Sequence, residues 1–245
     1  MRGDLEVETP RYEGTRLSGS DANTPHGCPR APLRRPPARR PEATAVAVPG
    51  RRYARDVGKE FPRIDESLRE FIQQQAMFFV ATAPSEGGRI NLSPKGYRDT
   101  FAVLDDHTVA YLDLFGSGVE TIAHLRDNGR ITIMFCSFTR NSRILRLFGT
   151  GRRVRPDNVE FDSLRTYFAQ LHPGIRAAIV VDVDRIADSC GYAVPYYELV
   201  DERPVLDAYH GKQPDEKHVQ QIAQRNRHSI DGLPALDPDH PLPPR

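Results

Sequence analysis

"RINLSPKGYRDTFAVLDDHTVAYLDL", residues 89–114, decides how the chain folds. Three short segments, "RINLS" (89–93), "TFAVLD" (100–105) and "TVAYLDL" (108–114), are divided by Lys95-Gly96 and Asp105-Asp106, the punctuation of hairpins. Just upstream, "MFFVATA" (77–83) is a nearly continuous apolar run that reads as a buried strand, set off from the first segment by Gly87-Gly88. Pro94 and Gly96 both interrupt sheet pairing, so "SPKG" (93–96) belongs at a strand edge or bulge rather than a strand centre. There Ser93 and Lys95 present a hydroxyl and a cation to the adjoining groove. A phosphate, a carboxylate partner or water could meet them, and a solvated surface lysine is the plain alternative.

Working outward, "IDESLREFIQQQ" (64–75) places Ile64, Leu68, Phe71 and Ile72 on one helical face, with Asp65 as N-cap. "GSGVETIAHLRDNG" (116–129) reads as a second helix, with a capping box of Ser117 and Glu120 and a stop at Asn128-Gly129. "DNVEFDSLRTYFAQL" (157–171) reads as a third, with a capping box of Asp157 and Glu160 and an apolar stripe of Phe161, Leu164 and Phe168. "RITIMFCSF" (130–138), "RILRLFGTGRRV" (143–154) and "AAIVVDVDRI" (177–186) supply further strands. About seven strands, mostly hairpin-linked, with three helices and no βαβα alternation predict a mainly antiparallel barrel with helices outside.

The chain divides into a domain and two tails. Residues 1–52 are rich in proline and arginine without either apolar period, which predicts a disordered segment. Asp4, Glu6, Glu8 and Glu13 argue against a transit peptide, leaving an inert tail or an over-long translation start. Its arginines are the one feature that would suit nucleic acid. The domain is expected over 53–237, and 238–245 forms a second proline-rich tail expected to be mobile. A net charge of +1 gives no basic field that would recruit nucleic acid. Cys28, Cys136 and Cys190 have no paired spacing, so neither a disulfide framework nor a zinc ribbon is expected, and a reducing, cytoplasmic setting is the simple reading. No apolar run approaches a membrane span.

Two further stretches could carry chemistry. In "LFGSGVET" (114–121), Gly116 and Gly118 bracket Ser117 at a helix start, where unpaired N–H groups can hold an anion, although the capping reading uses the same residues and Glu120 opposes a phosphate. "DSCGYAVP" (188–195) packs Ser189, Cys190, Gly191 and Tyr192 after a strand; a small residue buried in a tight turn suits Cys190 better than a nucleophile, since no histidine accompanies it. The eight histidines show no metal-ligand spacing.

With these residues in view, the run from 61 to 152 resembles the pyridoxamine 5′-phosphate oxidase-like, flavin-binding split-barrel family. More narrowly, it resembles a branch sharing "SPKG", "GSGVETIAHL", "DSCGY" and a terminal "SIDGLP" (229–234), over roughly residues 60–237. The resemblance implies a six-stranded antiparallel split β-barrel with flanking helices that forms a homodimer, with flavin mononucleotide (FMN) in grooves at the subunit interface. It implies cofactor contacts from Asn91, Ser93, Pro94, Lys95 and Gly96 on one strand, from Asp113, and from Gly116, Ser117, Gly118 and Thr121 at the turn. Where the phosphate-making oxidases carry an arginine and a lysine after the turn serine, this chain has Gly118 and Val119, so Lys95, Arg98, Arg143 and Arg146 are the candidate cations. Cys190 and Tyr192 are expected along the groove, and "SIDGLP" as a flap over it. The implied activity is a flavin-dependent oxidoreductase acting on an unidentified small molecule, with no catalytic residue assigned. A deazaflavin, favoured by a basic wall from "RILRLFGTGRR", and a carrier, sensor or haem-handling module without turnover are the alternatives. The chain has no tryptophan, and "RNRHSIDGLP" is a poor match to the oxidases' Arg-x-His substrate grip.

Overall fold

Period-two alternation builds the sheet. In the computed structural model, which describes residues 58–212 and 216–240, eight strands make one antiparallel sheet. They are β1 (Glu60–Phe61), β2 (Phe78–Thr82), β3 (Asn91–Lys95), β4 (Phe101–Val103), β5 (Thr108–Leu114), β6 (Arg130–Cys136), β7 (Arg143–Val154) and β8 (Ile175–Cys190). The order across the sheet is β3-β2-β6-β7-β8-β5-β4, with β1 paired to β8. The helices are α1 (Glu66–Gln73), α2 (Glu120–Asp127), α3 (Val159–Leu164), α4 (Val205–Gly211) and α5 (Glu216–Arg225). The expected tail over 1–52, including Cys28, lies outside the described residues.

The curled sheet is the expected antiparallel half-barrel, with eight strands in place of six. β5 and the first part of β8, residues 176–181, are buried on both faces, which is why their sequences are so evenly apolar. Val109 and Tyr111 of β5, with Ile179, Val181 and Val183 of β8, face a core that also takes Leu68, Phe71 and Ile72 of α1 and Ile122 and Leu125 of α2. The alternate residues Ala110, Leu112, Ala178 and Val180 face a second cluster covered by Phe161, Leu164 and Phe168. β3 is an edge strand hydrogen-bonded to β2 alone, with Pro94 opposite Phe79, as its proline requires.

The N-cap of α1 is Asp65, whose Oδ1 accepts from the Leu68 N–H at 3.0 Å. The two expected capping boxes do not form. Val119 is drawn into the core (1% exposed) and takes the N-cap position of α2, where it offers no acceptor, while Glu120 Oε1 accepts from the Ile230 N–H at 3.2 Å. At α3, Arg155 binds both oxygens of Asp157 at 2.9 and 2.8 Å, and Asn158 caps instead by accepting from the Glu160 N–H at 2.8 Å. Residues 238–240, expected within a mobile tail, pack on the domain: His240 is buried with Nε2 2.9 Å from the Arg176 carbonyl oxygen, and Asp239 pairs with Arg155 at 3.2 Å.

β7 and β8 shift register between Phe148 and Gly149, leaving Asp184 unpaired as a bulge. At that point a Cβ on Gly149 would overlap the Asp182 carbonyl. Gly149→Ala is therefore expected to destabilise by about 1–3 kcal/mol and lower Tm by about 2–4 °C for each kcal/mol. Gly211→Ala, where an added Cβ meets no atom within 4 Å, should leave Tm unchanged. Thermal melts followed by circular dichroism check both, and equal melting of Gly149→Ala and wild type would contradict the packing.

Candidate functional site

Asp113, on β5, is 0% exposed and is held by two cations from different strands. Lys95 Nζ, from the β3 edge, lies 3.1 Å from Oδ1; Arg176, from β8, places Nε 2.8 Å and Nη2 2.6 Å from Oδ2. A bulge makes this possible. Asp113 pairs with Ala177 and Leu114 with Ile175, so Arg176 is an extra residue whose side chain is re-aimed toward Asp113. Burial pushes the Asp113 carboxyl up, but Arg176 and then Lys95 outweigh it and hold it below its ordinary value, so it stays ionised. Two cations against one anion leave one net positive charge. Arg176 Nη1 also donates to the Gly118 carbonyl at 2.9 Å and to Asn226 Oδ1.

Lys95 stands at the side of a groove of about 840 Å³. Asn91, Ser93, Pro94, Gly96 and Tyr97 continue its wall along β3 and the turn beyond. Leu112, Leu114 and Met77 give it an apolar lining, and Gly116, Ser117, Gly118 and Thr121 form the side nearest α2. The α2 side is tied to β3 by Asn91 Nδ2, which donates to Thr121 Oγ1 at 3.1 Å and Thr82 Oγ1 at 3.2 Å. Thr82 Oγ1 meets Nδ1 of buried His124 at 2.9 Å; burial, outweighing nearby acids, lowers the pKa of this imidazole. A Cβ at Gly116 would meet nothing within 4 Å, so that glycine answers no packing need and leaves bare backbone on the groove. Ser117 lines the groove and does not cap α2.

The outer wall is a strap, residues 199–206, contributing Leu199, Asp201, Glu202, Arg203 and Leu206. Polar contacts moor it to the turn after β3. The Tyr97 hydroxyl donates to the Arg203 carbonyl at 3.0 Å, and the Arg98 N–H to Glu202 Oε1 at 3.1 Å. Tyr97 holds a left-handed backbone (φ 58), a conformation that a bulky residue keeps only when its surroundings enforce it. Its ring stacks on buried His172 at 4.5 Å and 7°. His172 Nε2 lies 3.0 Å from Asp99 Oδ1 and Nδ1 2.8 Å from Asp207 Oδ2. With a carboxylate at each nitrogen the ring must donate twice and is an imidazolium. Burial lowers its pKa, but Asp207 and Asp99 together overcome that and raise it.

Of the residues expected at the site, Asn91, Ser93, Pro94, Lys95, Gly96, Gly116, Ser117, Gly118 and Thr121 meet along the groove, and Asp113 lies beneath Lys95. The structure places five others apart. Arg143 Nε donates to Asp188 at 2.9 Å and Arg146 Nη1 to Ser189 Oγ at 2.9 Å. Cys190 is exposed at the end of β8 opposite Arg143, not buried in a turn, and Tyr192 is exposed. Arg98 is not among the groove-lining residues. "SIDGLP" is no flap: Ile230 binds Glu120 and Asp231 binds Arg89, clasping α2 to the β2–β3 hairpin. Arg176, Tyr97 and the strap were not expected. Arg176 is a lone charge at the mouth of an apolar run, the one sequence signal that pointed to it. Among the described residues no group of three or more His, Cys, Asp or Glu side chains could hold a metal ion, and no helix is long and apolar enough to cross a membrane.

The profile of the pyridoxamine 5′-phosphate oxidase family matches residues 64–190. A pyridoxamine 5′-phosphate oxidase family protein of Aspergillus flavus, ustO, is 37% identical over 196 aligned residues, covering 72% of this chain and 77% of that one. Among solved structures, HupZ of Group A Streptococcus aligns at 24% identity and TM-score 0.42 over 50% of this chain and 91% of its own. An FMN-binding protein of Syntrophomonas wolfei aligns at 14% identity and TM-score 0.39, over 49% and 82% respectively.

The Asp99–His172–Asp207 bridge predicts a pH dependence. Because the folded-state pKa of His172 is raised, its stabilisation is complete below the unfolded-chain value of about 6.5 and is lost as pH rises through the folded-state value. His172→Gln should therefore cost about 1–3 kcal/mol at acid pH, with the gap from wild type closing as pH rises above about 6.5. Denaturant titrations at several pH values measure it; a gap independent of pH would contradict an imidazolium.

Proposed function

The chain belongs to the pyridoxamine 5′-phosphate oxidase family, and from that premise we propose that its groove holds a flavin, FMN, and that the protein is a flavin-dependent oxidoreductase acting on a small molecule. The observation that carries this reading is the meeting of Lys95, the bare backbone at Gly116 and an apolar lining around one groove of about 840 Å³. That volume lies within the range of cofactor sites. The residues present fit a flat, phosphorylated ring: Leu112, Leu114 and Met77 give apolar area, and the Asn91–Gly96 edge gives polar contacts along one side.

When bound, the flavin supplies hydride chemistry. The chain's own residues bind, orient and screen. Lys95, held in place by Asp113, would stabilise negative charge on a bound ring. The strap excludes water from the far side. The deazaflavin reading needed a basic wall, but Arg143, Arg146, Arg152 and Arg153 are engaged by Asp188, Ser189, Glu160 and Asp237 and line no part of the groove. FMN is therefore favoured. Assembly as a homodimer belongs to the same reading: Leu92 on the β3 edge (64% exposed) and Val200 on the strap (94% exposed) are apolar surfaces beside the groove that a second copy would cover.

An absorption spectrum of the purified protein, with mass analysis of what heat releases, tests the proposal. A flavin spectrum and released FMN are expected, with reduction by an added electron donor marking an oxidoreductase rather than a carrier. Lys95→Met should weaken FMN binding about tenfold by removing one charge-assisted contact. Colourless protein that takes up neither FMN nor a deazaflavin contradicts the reading.

A further inference from the structure

A second cavity, of about 440 Å³, opens beside the groove and shares Gly116, Ser117, Arg203 and Leu206 with it. The two spaces differ in charge. Along the groove, Lys95, Arg176 and Arg203 stand against Glu120, Asp201 and Glu202, and the first two cations are already bound to Asp113. Among the described residues along the second cavity, the charged lining is Arg203 and Arg225. The other polar side chains there are largely committed. Asn226 takes Arg176 on Oδ1 and gives its amide to the Ile222 carbonyl at 2.7 Å, and His210 Nε2 lies 2.8 Å from the Phe115 carbonyl oxygen. Neither arginine side chain enters an ion pair or hydrogen bond among the described residues. Two guanidinium groups on one small cavity repel each other unless an anion lies between them, and a guanidinium fork matches phosphate geometry.

We propose that this second cavity is the phosphate subsite of the cofactor, with the ring in the groove, the connecting chain passing Gly116 and Ser117, and Arg203 and Arg225 closing on the phosphate. The inference rests on the flavin reading of the groove and deepens it. It also answers why the chain carries Gly118 and Val119 where a basic pair was expected: the charge comes instead from the strap and from α5, both outside the matched residues 64–190. Val205, Leu206 and Ile222 supply apolar walls that strengthen the charge contacts by displacing water.

FMN and riboflavin differ by the phosphate alone, so their affinity ratio reads this subsite. Fluorescence titrations of the full chain with each ligand are expected to show FMN bound at least about tenfold more tightly. Arg225→Gln, at an exposed position that lines only the second cavity, should lower FMN affinity about tenfold, leave riboflavin affinity and Tm unchanged, and so collapse the ratio. Arg225→Lys should restore part of it, and rising salt should erode the FMN advantage in wild type. An FMN-to-riboflavin ratio untouched by Arg225→Gln overturns the subsite while leaving the flavin groove standing, including the case in which inorganic phosphate still competes with a substrate there. Failure of wild type to bind either ligand would sink the groove reading and this inference together.

Discussion

A carboxylate taken wholly out of water is tolerated only if cations and hydrogen bonds replace its hydration, and the structure is arranged around one such group, Asp113. Its two partners arrive from opposite directions. Lys95 joins the β3 edge to β5, strands that share no backbone ladder. Arg176 ties β8 to the Gly118 turn and to Asn226 after α5, and its own carbonyl oxygen accepts the contact from His240. One buried charge thus gathers the sheet edge, the turn before α2 and the C-terminal segments into a common site. Removing either cation would leave the carboxylate under-compensated, so the groove and its positive charge are maintained by folding itself.

The barrel was open to reading from the chain because its signals are local. Nearly continuous apolar runs in "TVAYLDL" and "AAIVVDV" report two buried faces, and the Gly-Gly and Asp-Asp breaks report hairpins. Helix starts were misread where a tertiary demand overrode a local one: the core pulls Val119 into the cap position, and Arg155 takes Asp157 away from α3. The groove was half readable. Pro94 and Gly96 mark an edge, and the glycines around Ser117 mark exposed backbone. What sequence could not show was the partner of Lys95, because the bulge that turns Arg176 inward leaves no trace in period-two alternation. The strap was equally hidden, since residues 199–206 carry neither apolar period.

The site divides its labour by dielectric and by charge. The groove is an apolar trough with one anchored ammonium, suited to a flat ring whose charge changes during reaction. The described charged residues of the neighbouring cavity are two arginines, suited to a charge that does not change. The strap that helps wall both is moored through Tyr97, Arg98 and the imidazolium of His172 rather than by a packed apolar core. Such a wall can be released without disturbing the barrel, because the polar contacts that fix it are few and separate from the clusters beneath the sheet.

The most direct measurement is a crystal structure of the protein grown with FMN. The account predicts the ring in van der Waals contact with the Ser93–Gly96 edge, Lys95 still bound to Asp113 on its other side, and the strap closed over the outer face. A flavin bound elsewhere, or a Lys95 that leaves Asp113 and turns to bulk solvent with the groove empty, would contradict it.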